Sequence, residues 1–131
     1  MNIVIVGTGY VGLVTGVGFA EQGHKVSFID LDSSKIEKLK NKQLPFFEPD
    51  LDTYFSKEEN FKRMSFNSSY NSLNWDDSEV VFICVQTPNN IETNSVDTKF
   101  LESAISEISK LDNKEIVITV KSTIPPYEIE N

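Results

Sequence analysis

The stretch Ile3-Val4-Ile5-Val6-Gly7-Thr8-Gly9-Tyr10-Val11-Gly12 decides the fold: an apolar, largely β-branched run feeds directly into Gly-x-Gly-x-x-Gly. Such a run is what a strand buried on both faces of a parallel sheet requires. Each glycine then has its own task. Gly7 permits the tight turn out of the strand, Gly9 lets the backbone approach a pyrophosphate, and Gly12 lets the following helix pack closely on the sheet. The amino end of that helix points its free N–H groups at the phosphates.

Three glycines at this spacing arise by chance in loops, so the context carries the weight. Residues 10–21 are rich in Val, Leu, Phe and Ala, as a helix against a sheet should be. Gly23-His24 ends that helix, and Lys25-Val-Ser-Phe-Ile29 reads as the second strand. The βαβ unit so defined has the usual length of about 30 residues. Asp30 follows Gly12 at close to the offset of about 20 residues where a carboxylate accepts from the adenosine ribose hydroxyls. A carboxylate there repels a 2′-phosphate, which favours NAD over NADP, and Lys35 is a candidate for a further contact on the ribose side. The competing reading is that Asp30, Asp32 and Ser33 cap the next helix, and both readings can hold at once.

Composition narrows the function classes. The chain has 131 residues and a net charge of −8, enough for one domain with a real core but short for a dehydrogenase that binds two substrates. An acidic surface disfavours nucleic acid and anionic membranes as partners. No apolar run reaches the roughly 18 to 20 residues of a membrane span, and the amino terminus begins directly with a strand, so a cytoplasmic protein is expected. The single cysteine, Cys84, lies in the apolar run Val80-Val-Phe-Ile-Cys-Val85, where it reads as a small core side chain rather than a nucleophile. The single histidine, His24, sits in a predicted turn with no catalytic partners in sequence.

Farther along, a charged helix is expected at 33–42, then a proline-punctuated loop, Gln43-Leu-Pro-Phe-Phe-Glu-Pro-Asp50. A helix at 51–58 would place Leu51, Tyr54 and Phe55 on one core-facing side. Strands are expected at 61–66, 79–85 and 115–120, the last one buried. A polar helix or loop falls at 68–75, and an amphipathic helix at 97–110 with Phe100, Leu101, Ala104, Ile105 and Ile108 on its apolar face. This alternation specifies a Rossmann-type α/β fold: a doubly wound, mostly parallel sheet in the order 3-2-1-4-5 with helices on both faces. The loops at 86–95 and after residue 120 leave the carboxyl ends of strands, bringing Thr87 and Thr123 toward the ligand crevice.

Five segments in order resemble the amino-terminal domain of the nucleotide-sugar dehydrogenases, the UDP-glucose/GDP-mannose dehydrogenase family. They are Gly7-Thr-Gly-Tyr-Val-Gly and its helix, Asp30-Leu-Asp, Leu44-Pro-Phe-Phe-Glu-Pro-Asp-Leu51, Val81-Phe-Ile-Cys-Val-Gln-Thr-Pro88 and Lys121-Ser-Thr-Ile-Pro125. The likeness spans nearly the whole chain and is greatest to the members that oxidise UDP-glucose. It implies that Val11, Asp30, Lys35, Thr87 and Thr123 contact NAD. The expected cofactor set is therefore Gly7, Gly9, Tyr10, Val11, Gly12, Asp30, Lys35, Thr87 and Thr123, with turn or helix capping as the alternative for both threonines.

The family oxidises the sugar C6 alcohol to a carboxylate in two NAD-dependent steps through a covalent cysteine intermediate, with lysine, asparagine and aspartate helpers. By resemblance those residues belong to later segments, as do a central helix, which commonly pairs subunits into a homodimer or larger assembly, and the domain that holds the UDP moiety. Residues 1–131 are thus expected to be the NAD-binding domain alone, inactive toward UDP-glucose. Related substrates, UDP-N-acetylmannosamine, UDP-N-acetylglucosamine or GDP-mannose, stay open, as does a stand-alone NAD-sensing or interaction module. Two departures from the family pattern are Gln86, where a glycine usually precedes Thr87-Pro88, and Pro126-Tyr127-Glu128, where a Gly-Thr pair is usual.

Overall fold

The computed structural model describes residues 1–90, 95–111 and 115–124. The chain runs β1 (Asn2–Val6), α1 (Tyr10–Glu21), β2 (Lys25–Ile29), α2 (Ser33–Lys40), α3 (Leu51–Ser56), α4 (Glu58–Phe61), β3 (Met64–Asn67), a 3-10 turn (Tyr70–Ser72), β4 (Val80–Ile83), β5 (Asn89–Asn90), β6 (Ser95–Val96), α5 (Lys99–Ser109) and β7 (Val117–Val120). Five strands form one sheet in the order β3-β2-β1-β4-β7, every pair parallel. This is the expected 3-2-1-4-5 arrangement, and the chain reverses its direction of travel across the sheet at β1.

The pleat sorts side chains to two cores. Ile3 and Ile5 of β1 face one side with Val26 and Phe28 of β2, under Leu13, Val17 and Ala20 of α1 and Ile36 and Leu39 of α2. Val4 and Val6 face the other with Val81 and Ile83 of β4, under Leu101, Ala104 and Ile108 of α5 and the Tyr70 and Trp75 rings. Helix α1 lies so near the sheet that a Cβ on Gly16 would come within 2.3 Å of the Phe28 ring. Each large apolar side chain so buried contributes about 1.5–3 kcal/mol. Exposed ion pairs such as Lys62–Glu58 contribute at most about 1 kcal/mol each, so the two sheet faces hold the fold.

Several expectations are corrected. The helix expected at 51–58 breaks at Lys57, whose extended backbone (φ −59°, ψ 124°) separates α3 from α4; Leu51 and Phe55 are buried, but Tyr54 is exposed. The strand expected at 61–66 starts only at Met64, because Phe61 closes α4. Strand β7 is at the edge of the sheet, and its Val117, Ile118 and Val120 are exposed rather than buried. Phe100 and Ile105 of α5 are exposed too; the apolar face that packs is the narrower stripe Leu101, Ala104 and Ile108. Part of the loop at 86–95 forms the antiparallel β5–β6 pair. The Pro126-Tyr127-Glu128 departure lies outside the described residues.

Candidate dinucleotide cleft

The sheet ladder continues one residue beyond its strands and gathers their carboxyl ends. Gly7 N donates to the Ile29 carbonyl at 2.8 Å, Cys84 N to the Val6 carbonyl at 2.7 Å, and Lys121 N to the Ile83 carbonyl at 2.8 Å. Above these ends opens a cleft of about 670 Å³. Its walls include Gly7, Gly9, Tyr10, Val11, Asp30, Lys35, Thr87 and Thr123, so eight of the nine positions expected from sequence converge. Gln86 lines it as well.

The three motif glycines separate by what demands them. Gly7 has φ +99°, and a Cβ there would sit 2.7 Å from the Cys84 carbonyl oxygen, so both its own backbone and the approach of β4 require glycine. Gly12 is buried behind the turn and is not among the cleft-lining residues; a Cβ there would meet the Gly7 carbonyl oxygen at 1.9 Å. Its place is the helix-packing one. Gly9 is different. Its backbone is extended (φ −77°, ψ −169°), a conformation open to any residue, and a Cβ there would meet nothing within 4 Å. The folded chain itself makes no demand for glycine at 9, and the space above it is open.

Gly9 is also the N-cap of α1, with no side-chain cap and no acidic residue in the first turn. An uncapped 12-residue helix aimed into a cleft favours an anion through its first N–H groups and its dipole. The opposite device closes α2: Asp32 Oδ1 accepts from Ser34 N at 3.0 Å and Lys35 N at 3.3 Å. The Ser34 hydroxyl also donates to Oδ1, at 2.7 Å, and this bond first, then the backbone ones, hold the Asp32 carboxyl below its ordinary range.

The structure therefore resolves the alternatives at the end of β2. Asp32 caps, while Asp30 does not. Asp30 Oδ2 accepts from Thr8 N at 2.9 Å and Thr8 Oγ1 at 2.6 Å, Oδ1 accepts from Asp32 N at 3.0 Å, and Lys35 Nζ lies 3.9 Å from Oδ2. Thr8, wholly buried, was not singled out by sequence reasoning, since nothing local couples it to a residue 22 positions on. Nor was the stacking of Tyr10 on Phe46, with centroids 3.9 Å apart, which lays the proline loop against the glycine turn. The aromatic-rich Pro45-Phe46-Phe47 was the available signal.

At the other end, Thr87 Oγ1 donates to the Thr123 carbonyl at 2.8 Å and Ser122 Oγ to the Val85 carbonyl at 2.6 Å. Cys84 is buried in the cleft floor, and burial pushes its thiol up to about 11 against a smaller opposing pull from Lys121. The packing role expected for it agrees. His24 lies in the α1–β2 turn, its Nδ1 3.1 Å from the amino terminus, away from the cleft. Among the described residues no His/Cys/Asp/Glu group could hold a metal, and no helix is long and apolar enough to cross a membrane.

A doubly wound parallel sheet with a glycine turn, an uncapped helix and an acidic residue at the end of the second strand defines a Rossmann-type dinucleotide-binding domain. The chain belongs to the UDP-glucose/GDP-mannose dehydrogenase family: the family's NAD binding domain matches residues 1–131. It is 41% identical over its whole length to a UDP-glucose 6-dehydrogenase from Rickettsia bellii, and covers 30% of that protein. Among solved structures it is similar to a GDP-mannose dehydrogenase from Pseudomonas aeruginosa (TM-score 0.89, 30% identity, 100% of this chain and 30% of that one). It is also similar to a UDP-N-acetyl-mannosamine dehydrogenase from Staphylococcus aureus (TM-score 0.86, 30% identity, 100% of this chain and 31% of that one). The chain thus spans about a third of the length of the relatives it matches.

Proposed function

We propose that this chain holds NAD for an enzyme that oxidises the C6 alcohol of a nucleotide sugar to a carboxylate, with UDP-glucose as the sugar. The observation that carries the cofactor reading is the open space over Gly9 at the mouth of an uncapped helix. The residues fit the group. Gly7, Gly9, Tyr10 and Val11 form the pyrophosphate turn, with Gly12 behind it closing the helix onto the turn. Asp30 accepts from the adenosine ribose hydroxyls, with Lys35 alongside. Thr87 and Thr123 line the far end of the cleft, toward the nicotinamide. When bound, NAD accepts a hydride from the substrate carbon.

The choice of UDP-glucose is supported by the 41% identity to a UDP-glucose 6-dehydrogenase and by the Leu44-to-Leu51 segment. The groups that bind the sugar and carry the covalent chemistry belong, on this reading, to segments beyond residue 131, and the 131 residues alone form no NADH from UDP-glucose. The assembled enzyme is a homodimer or larger.

Calorimetric titration with NAD, NADP and an Asp30→Ala variant tests the cofactor reading. Saturable binding that prefers NAD and weakens in Asp30→Ala supports it. A folded protein that binds neither dinucleotide overturns it.

A further inference from the structure

The buried hydroxyl of Thr8 has no packing reason to exist, since a valine of the same shape would fill the space without needing a partner. A hydroxyl kept in such a place must be paired, and its bond goes to Asp30 Oδ2 at 2.6 Å. The amide of the same residue donates to the same oxygen at 2.9 Å. A carboxylate offers about four acceptor sites, two on each oxygen. Thr8 fills both on Oδ2, and Asp32 N takes one on Oδ1. The capacity left for an incoming hydroxyl therefore lies on Oδ1.

The pin matters because the terminal torsion of an aspartate is broad and roughly two-fold, so an unpinned carboxylate exchanges its oxygens. Lys35 Nζ, 3.9 Å from Oδ2, also competes for that oxygen and would draw it out of the turn. We propose that Thr8 is a positioning residue: by occupying Oδ2 it fixes the Asp30 carboxylate so that the one acceptor site left on Oδ1 receives an adenosine ribose hydroxyl, a role that rests on the NAD reading above. Thr8 touches no phosphate in this scheme. It links the glycine turn to the ribose end of the cleft, so the two halves of the adenosine diphosphate site are set by one side chain.

The test uses the protein at its full natural length, with Thr8→Val, Thr8→Ser and Asp30→Ala, titrated with NAD and with an NAD analogue whose adenosine ribose lacks both hydroxyls. Thr8→Val is expected to weaken NAD about tenfold, the order of a hydrogen bond to a charged group, while leaving the analogue's affinity unchanged. Thr8→Ser, which restores the hydroxyl, is expected to bind NAD within about threefold of the wild type, and Thr8→Ala replaces Thr8→Val should the latter fail a circular-dichroism check of folding. Equal losses for NAD and the analogue would make Thr8 a mere prop of the turn and overturn the proposal. So would wild-type affinity in Thr8→Val when Asp30→Ala is impaired. Failure of the wild type to bind NAD at all, or indifference to Asp30→Ala, would instead bring down the cofactor reading, and this proposal with it.

Discussion

Thr87 Oγ1 donates to the carbonyl oxygen of Thr123 at 2.8 Å, so the loops that follow the neighbouring strands β4 and β7 are tied to each other on one side of the crevice. A second tie, from Ser122 Oγ to the Val85 carbonyl, lies one residue nearer β7 and two nearer β4. Together they hold the far wall of the cleft, opposite the glycine turn.

Removing the outer tie by Thr87→Val is expected to cost less than about 1 kcal/mol of stability, because the pair is exposed and water replaces it. NAD affinity is expected to fall severalfold as the loops separate. Ser122→Ala removes the part-buried tie and is expected to cost about 1 kcal/mol. Urea unfolding and calorimetry on the same preparations check both; equal stability losses would show that the ties are equivalent.

Gly9→Ala and Gly12→Ala should divide function from folding. With nothing within 4 Å of its Cβ, alanine at 9 is expected to leave stability within about 0.5 kcal/mol, yet to weaken NAD strongly. Alanine at 12 meets a backbone carbonyl oxygen at 1.9 Å, which no rotamer can relieve, and is expected to cost about 3 kcal/mol or more. Thermal melts beside NAD titrations would read this, and a destabilised Gly9→Ala would contradict the assignment of that glycine to the ligand.

Acid stability depends in part on Glu21. Hydrogen bonds from Asn60 first and Lys57 next hold its carboxyl below the ordinary glutamate range, and Asn60, itself buried, donates to it at 2.5 Å. A depressed folded pKa means the contribution is complete above the unfolded value of about 4.3 and is lost as pH falls through the folded one. Urea midpoints are expected to drop below that pH more steeply in the wild type than in Glu21→Gln. Parallel curves would remove Glu21 from the account.

Cys84 is expected to be nearly inert in the folded chain. With its thiol pushed up to about 11, the thiolate fraction at pH 8 is about two orders of magnitude below that of a free cysteine near 8.5. Alkylation should therefore be slow until denaturant is added, and Cys84→Ala should still bind NAD. Rapid modification of the native chain would reopen a chemical role for this thiol.

The amino-terminal βαβ unit was legible residue by residue: α1 and β2 have the bounds read from sequence, Tyr10–Glu21 and Lys25–Ile29. Their signals are local, a glycine turn, a periodic apolar face and a glycine stop. The errors fall where the outcome is set by neighbours. The apolar residues of β7 announce a strand but not whether anything covers it, and the period that marks 51–58 as helical does not register the extended Lys57. In the cleft, the convergence of the glycine turn and Asp30 was readable, because both follow directly on the carboxyl ends of the first two strands of one βαβ unit. The offset alone points Asp30 to the ribose role; that Asp32 and not Asp30 caps α2 was not readable, because the two are equally good caps by type.

The order of apolar runs, glycines and the acidic residue was enough to specify a parallel sheet with a phosphate turn, since each element answers to backbone sterics and periodicity within a few residues. The division of labour inside the site was decided elsewhere. Thr8 and Asp30 are 22 residues apart and Thr87 and Thr123 are 36 apart, and each pair meets only because parallel strands end side by side. Hydrogen bonds between such distant residues depend on register and on which donors the strand ends bring within reach of an acceptor, quantities that exist only once the sheet has assembled.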